Sequence, residues 1–183
     1  YRPRLLPDTG TAEGGFELVA NLLPAEDERA WFEQWLAHKV QHPEIPGPGV
    51  IMVAADSYGT GRGSLIGLMT DMFGAEYVNV LDFNPLTGQN YQSQYNEWQV
   101  DSLMICVDEA RDSTIDTSRW RQRYSAYEHL KRIIDPSARA THVARKGVMN
   151  SQGRIFASVF IATNHSDALV IPKADRRLAV LEN

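Results

Sequence analysis

The stretch VIMVAADSYGTGRGSL, residues 50–65, runs from an apolar segment through a glycine-rich turn and into a second apolar-faced segment. Glycines let backbone N–H groups turn inward onto an anion, and a cation beside them adds point charge, which is the chemistry of a phosphate-binding loop. Registered on Gly61, the loop reads DSYGTGRG against the pattern G-x-x-x-x-G-K-[ST]. Asp56 stands where the first glycine belongs, Arg62 replaces the lysine, and Gly63 replaces the hydroxyl residue, with Ser64 supplying an oxygen one step later. Arg62 is the largest departure, because a planar guanidinium favours forked contacts where an ammonium acts as a point charge. A second constellation is LMICVDEA, residues 103–110, in which Asp108 and Glu109 end an apolar run. Strand ends of this kind face the ligand crevice of a parallel sheet, where one carboxylate can hold a divalent cation and its neighbour can take a proton from water. The bland alternatives are a ligand-free turn and a solvated acidic strand end.

These residues need elements to hold them. VIMVA reads as a short strand buried on both faces, and residues 61–73 as a helix with Leu65, Ile66, Leu68, Met69 and Phe73 toward the core. A second apolar run follows at 77–81, and 102–110 forms the clearest parallel strand. The spacing from Arg62 to Asp108 leaves room for a helix, a strand and one further segment. Residues 118–134 read as a helix opening at Ser118, 139–148 and 154–162 as strands around a KGVMNSQG turn, and RRLAVL as a last strand. Before the loop, residues 1–23 look irregular, and a helix begins after Pro24 with three early acids and ends near His42 and Pro43. PEIPGPG is a connector that can continue neither helix nor ladder. WFEQW, residues 31–35, has helical spacing and belongs to packing rather than to a base-stacking platform. Strands alternating with helices make an α/β sheet with its ligand site at the strand ends.

Bulk properties narrow the function. With 183 residues, 43% apolar and 22% charged, the chain suits one globular domain, and no apolar run is long enough to span a bilayer. It begins at Tyr1 with neither a signal core nor a transit peptide, and reads as a piece of a longer protein. Cys106 stands alone, which excludes an internal disulfide and a cysteine zinc cluster and fits a reducing cytosol. The net charge of -5 argues against coating nucleic acid over the whole surface. Charge is nevertheless segregated: residues 119–154 carry nine Lys and Arg against Glu128 and Asp135, a local balance of +7. Within it Arg119, Arg123, Tyr124, Tyr127 and Lys131 mix cations with aromatics, as a groove for single strands requires, or form the polar face of a helix.

Further on, SVFIATNHSD is an apolar strand ending at Asn164, and IPKADRRLAV carries Arg176 and Arg177. The order of features resembles the helicase domain of phage and plasmid primase-helicases, within the superfamily-three helicases of the AAA+ class. The resemblance covers about residues 30–181: WLAHKVQHP before the loop, GTGRGSL as Walker A, LMICVDEA as Walker B, ARKGVMN as motif B-prime, FIATN as motif C and ADRRLAV as the terminal arginine element. It implies a three-layer P-loop NTPase core with a mostly parallel central sheet over 49–183, preceded by an irregular segment at 1–23 and a helix and linker at 24–48. It also implies that Gly59, Thr60, Gly61, Arg62, Gly63 and Ser64 hold ATP, that Asp108 and Ser64 serve Mg²⁺, and that Glu109 is the base. Asn164 would be the polar sensor that helps place the attacking water, and Arg176 or Arg177 the arginine finger reaching a neighbour's site. The implied assembly is a ring, usually a hexamer, with Arg145 and Lys146 on a pore hairpin gripping single-stranded DNA. A covalently linked primase or polymerase region would lie outside this sequence, and the compartment would be the host cytoplasm. Two alternatives stand beside this reading. One is a catalytically degenerate P-loop module for DNA binding or assembly. The other is a phosphotransferase of the nucleoside monophosphate kinase type, whose Lys-Gly-Thr loop GTGRGS also resembles.

Overall fold

Apolar runs without polar alternation can be buried only by cover on both faces, and that requirement organises the chain. The computed structural model describes residues 11–54, 60–83, 95–100, 102–108, 120–135, 140–147, 149, 151–165, 168–173 and 175–182. In chain order the elements are α1 (Glu13–Leu22), α2 (Glu26–Gln41), β1 (Gly49–Val53), α3 (Arg62–Phe73), β2 (Val78–Leu81) and a 3₁₀ turn (Glu97–Gln99). They continue with β3 (Met104–Val107), α4 (Trp120–Ile134), β4 (Ala140–Val143), β5 (Ser151–Arg154), β6 (Ser158–Thr163) and β7 (Leu178–Glu182).

Five strands form one sheet in the order β2-β3-β6-β1-β7, and every pairing in it is parallel. Alternate residues serve opposite layers. Val50 and Met52 of β1 join Cys106, Phe160 and Ala162 beneath α1, α2 and α3, while Ile51, Val53, Ile105, Val107 and Ile161 pack against Leu130, Ile133 and Ile134 of α4. The fold is thus α/β with three layers and a parallel central sheet, of the P-loop NTPase type. Phe32 stacks on Trp35 at 5.6 Å and lies 6.1 Å from Phe160, so Phe32 and Trp35 of WFEQW belong to the core, as the helical spacing predicts.

Three expectations change. Residues 13–22 form α1 instead of an irregular stretch: Gly14 and Gly15 depress helix propensity, but Val19 and Leu22 bury completely enough to outweigh it. The expected strand 154–162 is two elements. Ser151–Arg154 pairs antiparallel with Ala140–Val143 in a separate hairpin, and Ser158–Thr163 enters the main sheet. Tyr127 is 3% exposed and donates its phenol to Asp175, so it is no stacking surface for bases. No helix among the described residues is long and apolar enough to cross a membrane.

Candidate active site

The parallel sheet sends the C-terminal ends of β1, β3 and β6 to one edge, and the chemistry-bearing residues gather there. Gly61 caps α3 with φ +98°, a left-handed conformation that costs a side-chain-bearing residue but not glycine. The turn it makes starts α3 abruptly, leaving the first amides of the helix without intrahelical partners. Among the described residues no side chain caps them, and the first turn holds no acid, whereas α2 carries Glu26, Asp27 and Glu28 in the same place. The positive end of α3 is therefore left open for an external anion. Thr60, next to Gly61 in the chain, carries an Oγ1 that is buried and without a hydrogen-bond partner among the described residues.

Asp108, exposed at the end of β3, brings Oδ2 within 3.8 Å of where a Cβ on Gly63 would stand. A carboxylate and the first turn of α3 thus face each other although 45 positions separate Gly63 from Asp108 in the chain. Below it, burial and the Asp108 charge push the Cys106 thiol up to about 12, which keeps it protonated and inert.

Arg62 behaves as a guanidinium should. Nη1 donates to the Thr163 carbonyl at 2.6 Å, and Nη2 donates to Asn164 Oδ1. The Thr163 carbonyl also accepts from the Ala54 amide at 2.9 Å, tying the ends of β1 and β6 together. This fork has no signal in the sequence, because one of its acceptors is a main-chain oxygen and the partners are 101 and 102 positions away.

Thr60, Gly61, Arg62, Gly63, Ser64, Asp108 and Asn164 are therefore brought to one edge. Glu109 and Gly59, with Asp56, lie outside the described residues. Arg176 and Arg177 are elsewhere: the Gly49 amide donates to the Arg177 carbonyl at 2.8 Å, which puts both at the N-terminal edge of the sheet. There Arg177 is held by Asp135 at 3.2 Å and Asp175 at 3.7 Å, while Arg176 is exposed beside a cavity of about 360 Å³ lined by Pro46, Pro48 and Asp135. Arg145 and Lys146 follow β4 on the hairpin. Arg145 lies 3.7 Å from Glu97, Lys146 is exposed, and Met149 near the tip is 90% exposed.

A family model described as a family of unknown function, DUF5906, matches residues 56–177, from within the glycine-rich loop to the arginine pair. The chain belongs to this family. All the gathered residues of this DUF5906 member fall inside the matched span, and α1 and α2 precede it. No curated protein matches the chain. Among solved structures, an apo structure of the NrS-1 C-terminal region (305-718) is similar over 100% of this chain, with TM-score 0.77 and 22% identity. An A-form apo structure of the NrS-1 C-terminal region aligns with TM-score 0.74 and 21% identity, also over 100% of this chain. The chain spans about two fifths of those molecules, 42% and 41% respectively, and at this identity the likeness is one of fold.

Proposed function

We propose that this chain is an ATP-hydrolysing, ring-forming translocase domain that moves along single-stranded DNA. The observation that carries the reading is the meeting of Asp108 with the uncapped first turn of α3, beside Arg62 and Asn164, at the C-terminal edge of a parallel sheet. An anion docked there would meet α3 amides and the remaining donors of Arg62. Bound with its nucleotide, Mg²⁺ would be held by Asp108 and Ser64 and would neutralise phosphate charge; a hard cation of this kind needs one protein carboxylate plus phosphate and water oxygens. Glu109 would take the proton of the attacking water.

Arg176 supports the assembled form. It is exposed and without an ion-pair partner among the described residues, while Arg177 is engaged by two carboxylates. Of the pair, Arg176 is the finger and Arg177 its anchor. The hairpin with Arg145 and Lys146 would contact the DNA backbone, a salt-dependent interaction.

Nucleotide turnover, with and without single-stranded DNA, tests the proposal on wild type and Glu109→Gln. Turnover is expected to rise with DNA and to fall by at least about 10²-fold in the variant, the scale of a lost general base. An assembled wild type that neither binds nor hydrolyses nucleotide would overturn it. The commitment of Arg62 to β6 favours a second reading, nucleotide binding without turnover. Arg62→Lys separates the two: a gain in hydrolysis indicates a degraded site, and a loss indicates a working arginine.

A further inference from the structure

Arg145 and Lys146 stand on a two-stranded hairpin, an element that is marginal in water unless something else holds it. Its strands bury little: Ser151, Gln152 and Arg154 of β5 are exposed, while Val143 of β4 is buried. What holds it is Asn96, 46 and 48 positions away from the residues it grips. Nδ2 donates to the His142 carbonyl at 2.7 Å, and Oδ1 accepts from the Ala144 amide at 2.8 Å. The Asn96 main-chain amide donates to the Ala144 carbonyl at 3.2 Å. An asparagine side chain ends in a donor group and an acceptor side by side, so it engages both main-chain groups at once, as a neighbouring strand would. Pairing with β5 leaves that edge of β4 open. Asn96 closes it.

The hairpin also rests on this segment through β5. A Cβ on Gly153 would stand 2.6 Å from Val100 Cγ1 and 2.8 Å from Val143 Cγ2, so glycine is what lets β5 lie so close. The platform beneath is itself fixed. Ser102, 2% exposed, donates its hydroxyl to the Trp98 carbonyl and accepts from Asn79 Nδ2 of β2, each at 2.5 Å, which ties the 3₁₀ turn to the main sheet. The ion pair of Arg145 with Glu97, 3.7 Å long and solvent-accessible on both partners, is a weak fastener beside these contacts.

We propose that Asn96 is the positioning residue of the hairpin: it sets the pose in which Lys146 meets the backbone of single-stranded DNA, acting through the main chain of β4 without touching the strand. The inference rests on the DNA contact proposed above. A cation on a swinging hairpin has to be ordered at each binding event, and that ordering entropy is subtracted from the attraction; on a clamped hairpin the ordering is already done.

The test is equilibrium binding of a labelled thymidine homopolymer to the assembled protein over a series of salt concentrations. It compares wild type, Asn96→Ala, Gly153→Ala, the double variant and Lys146→Ala. Asn96→Ala is expected to weaken binding about tenfold at every salt concentration, the scale of a lost hydrogen bond, with the plot of log affinity against log salt parallel to that of wild type. Lys146→Ala should instead make that slope shallower, because a phosphate contact is gone. Gly153→Ala lifts the hairpin from its other side, so it should weaken binding comparably, and the double variant should lose little more than the worse single variant. Nucleotide affinity should stay at the wild-type value in Asn96→Ala. Unchanged DNA affinity in Asn96→Ala, losses that simply add in the double variant, or nucleotide affinity falling together with DNA affinity would each overturn the inference alone. Wild type that binds no single strand would overturn the DNA reading on which it rests.

Discussion

Tyr127 and Asp175 form a buried polar contact on the N-terminal side of the sheet. The phenol donates to Asp175, whose side chain is 2% exposed and also accepts from the Arg177 amide at 2.7 Å. Burial pushes the Asp175 carboxyl up, but the phenol, the Arg177 amide and guanidinium, and Lys131 outweigh it, and the group ends below its ordinary value of 3.8. Burial and the same carboxylate push the phenol up to about 12. A carboxyl with a depressed folded value contributes stability that is fully present above its ordinary value and is lost as pH falls through the depressed one. Tyr127→Phe removes one donor from the charged acceptor, so it should cost about 1–2 kcal/mol at neutral pH and move the acid-unfolding midpoint upward. Fluorescence-monitored acid titration of both proteins checks this; coincident acid limbs would show that the phenol contributes nothing to the carboxylate.

Among the described residues, Lys39 joins several elements through buried polar contacts. Its residue is 1% exposed, and Nζ donates to the carbonyls of Pro43 at 2.9 Å, Ile45 at 3.3 Å and Phe156. The end of α2, the proline-rich connector and the segment before β6 are thus held by one ammonium, which burial pushes down to about 8 against the pull of Glu44. Lys39→Met leaves three carbonyls without their donor and should cost about 2–4 kcal/mol, read as a lowered urea midpoint; a loss below about 1 kcal/mol would mean that water replaces the ammonium. None of this was visible in the sequence, where Lys39 is an ordinary charge on a helix. What was visible follows the same logic: VIMVA, LMICV and SVFIAT announce strands because a two-sided apolar run has few other fates. The hairpin strand Ser151–Arg154 was hidden because its residues are polar and mostly exposed, so no period marks it. In the site, the loop, Asp108 and Asn164 could be found as strand-end residues, but the Arg62 fork could not, since it depends on where two distant strand ends come to lie side by side.

For the whole molecule, the register of the sheet decides whether one chain can complete its own site. Leu178 pairs with Gly49 and Glu182 with Val53, so Arg176 stands before the first residue of β1 and the glycine-rich loop follows the last. Five strand residues rise about 16 Å, beyond the reach of a side chain starting from the far edge. If Arg176 serves the proposed phosphate site, it must do so from a neighbouring subunit, and the proposed ring would supply that contact head to tail. That geometry predicts complementation. An Arg176→Ala subunit keeps a complete site but offers no finger, and a Glu109→Gln subunit offers a finger but has no base, so each alone should lack turnover. Mixed and reassembled with single-stranded DNA in equal amounts, they should recover up to about a quarter of wild-type turnover, the share of junctions in a randomly mixed ring that pair an intact site with an intact finger. Mixtures as inactive as their components would place Arg176 outside the reaction and leave the exposed guanidinium as surface charge.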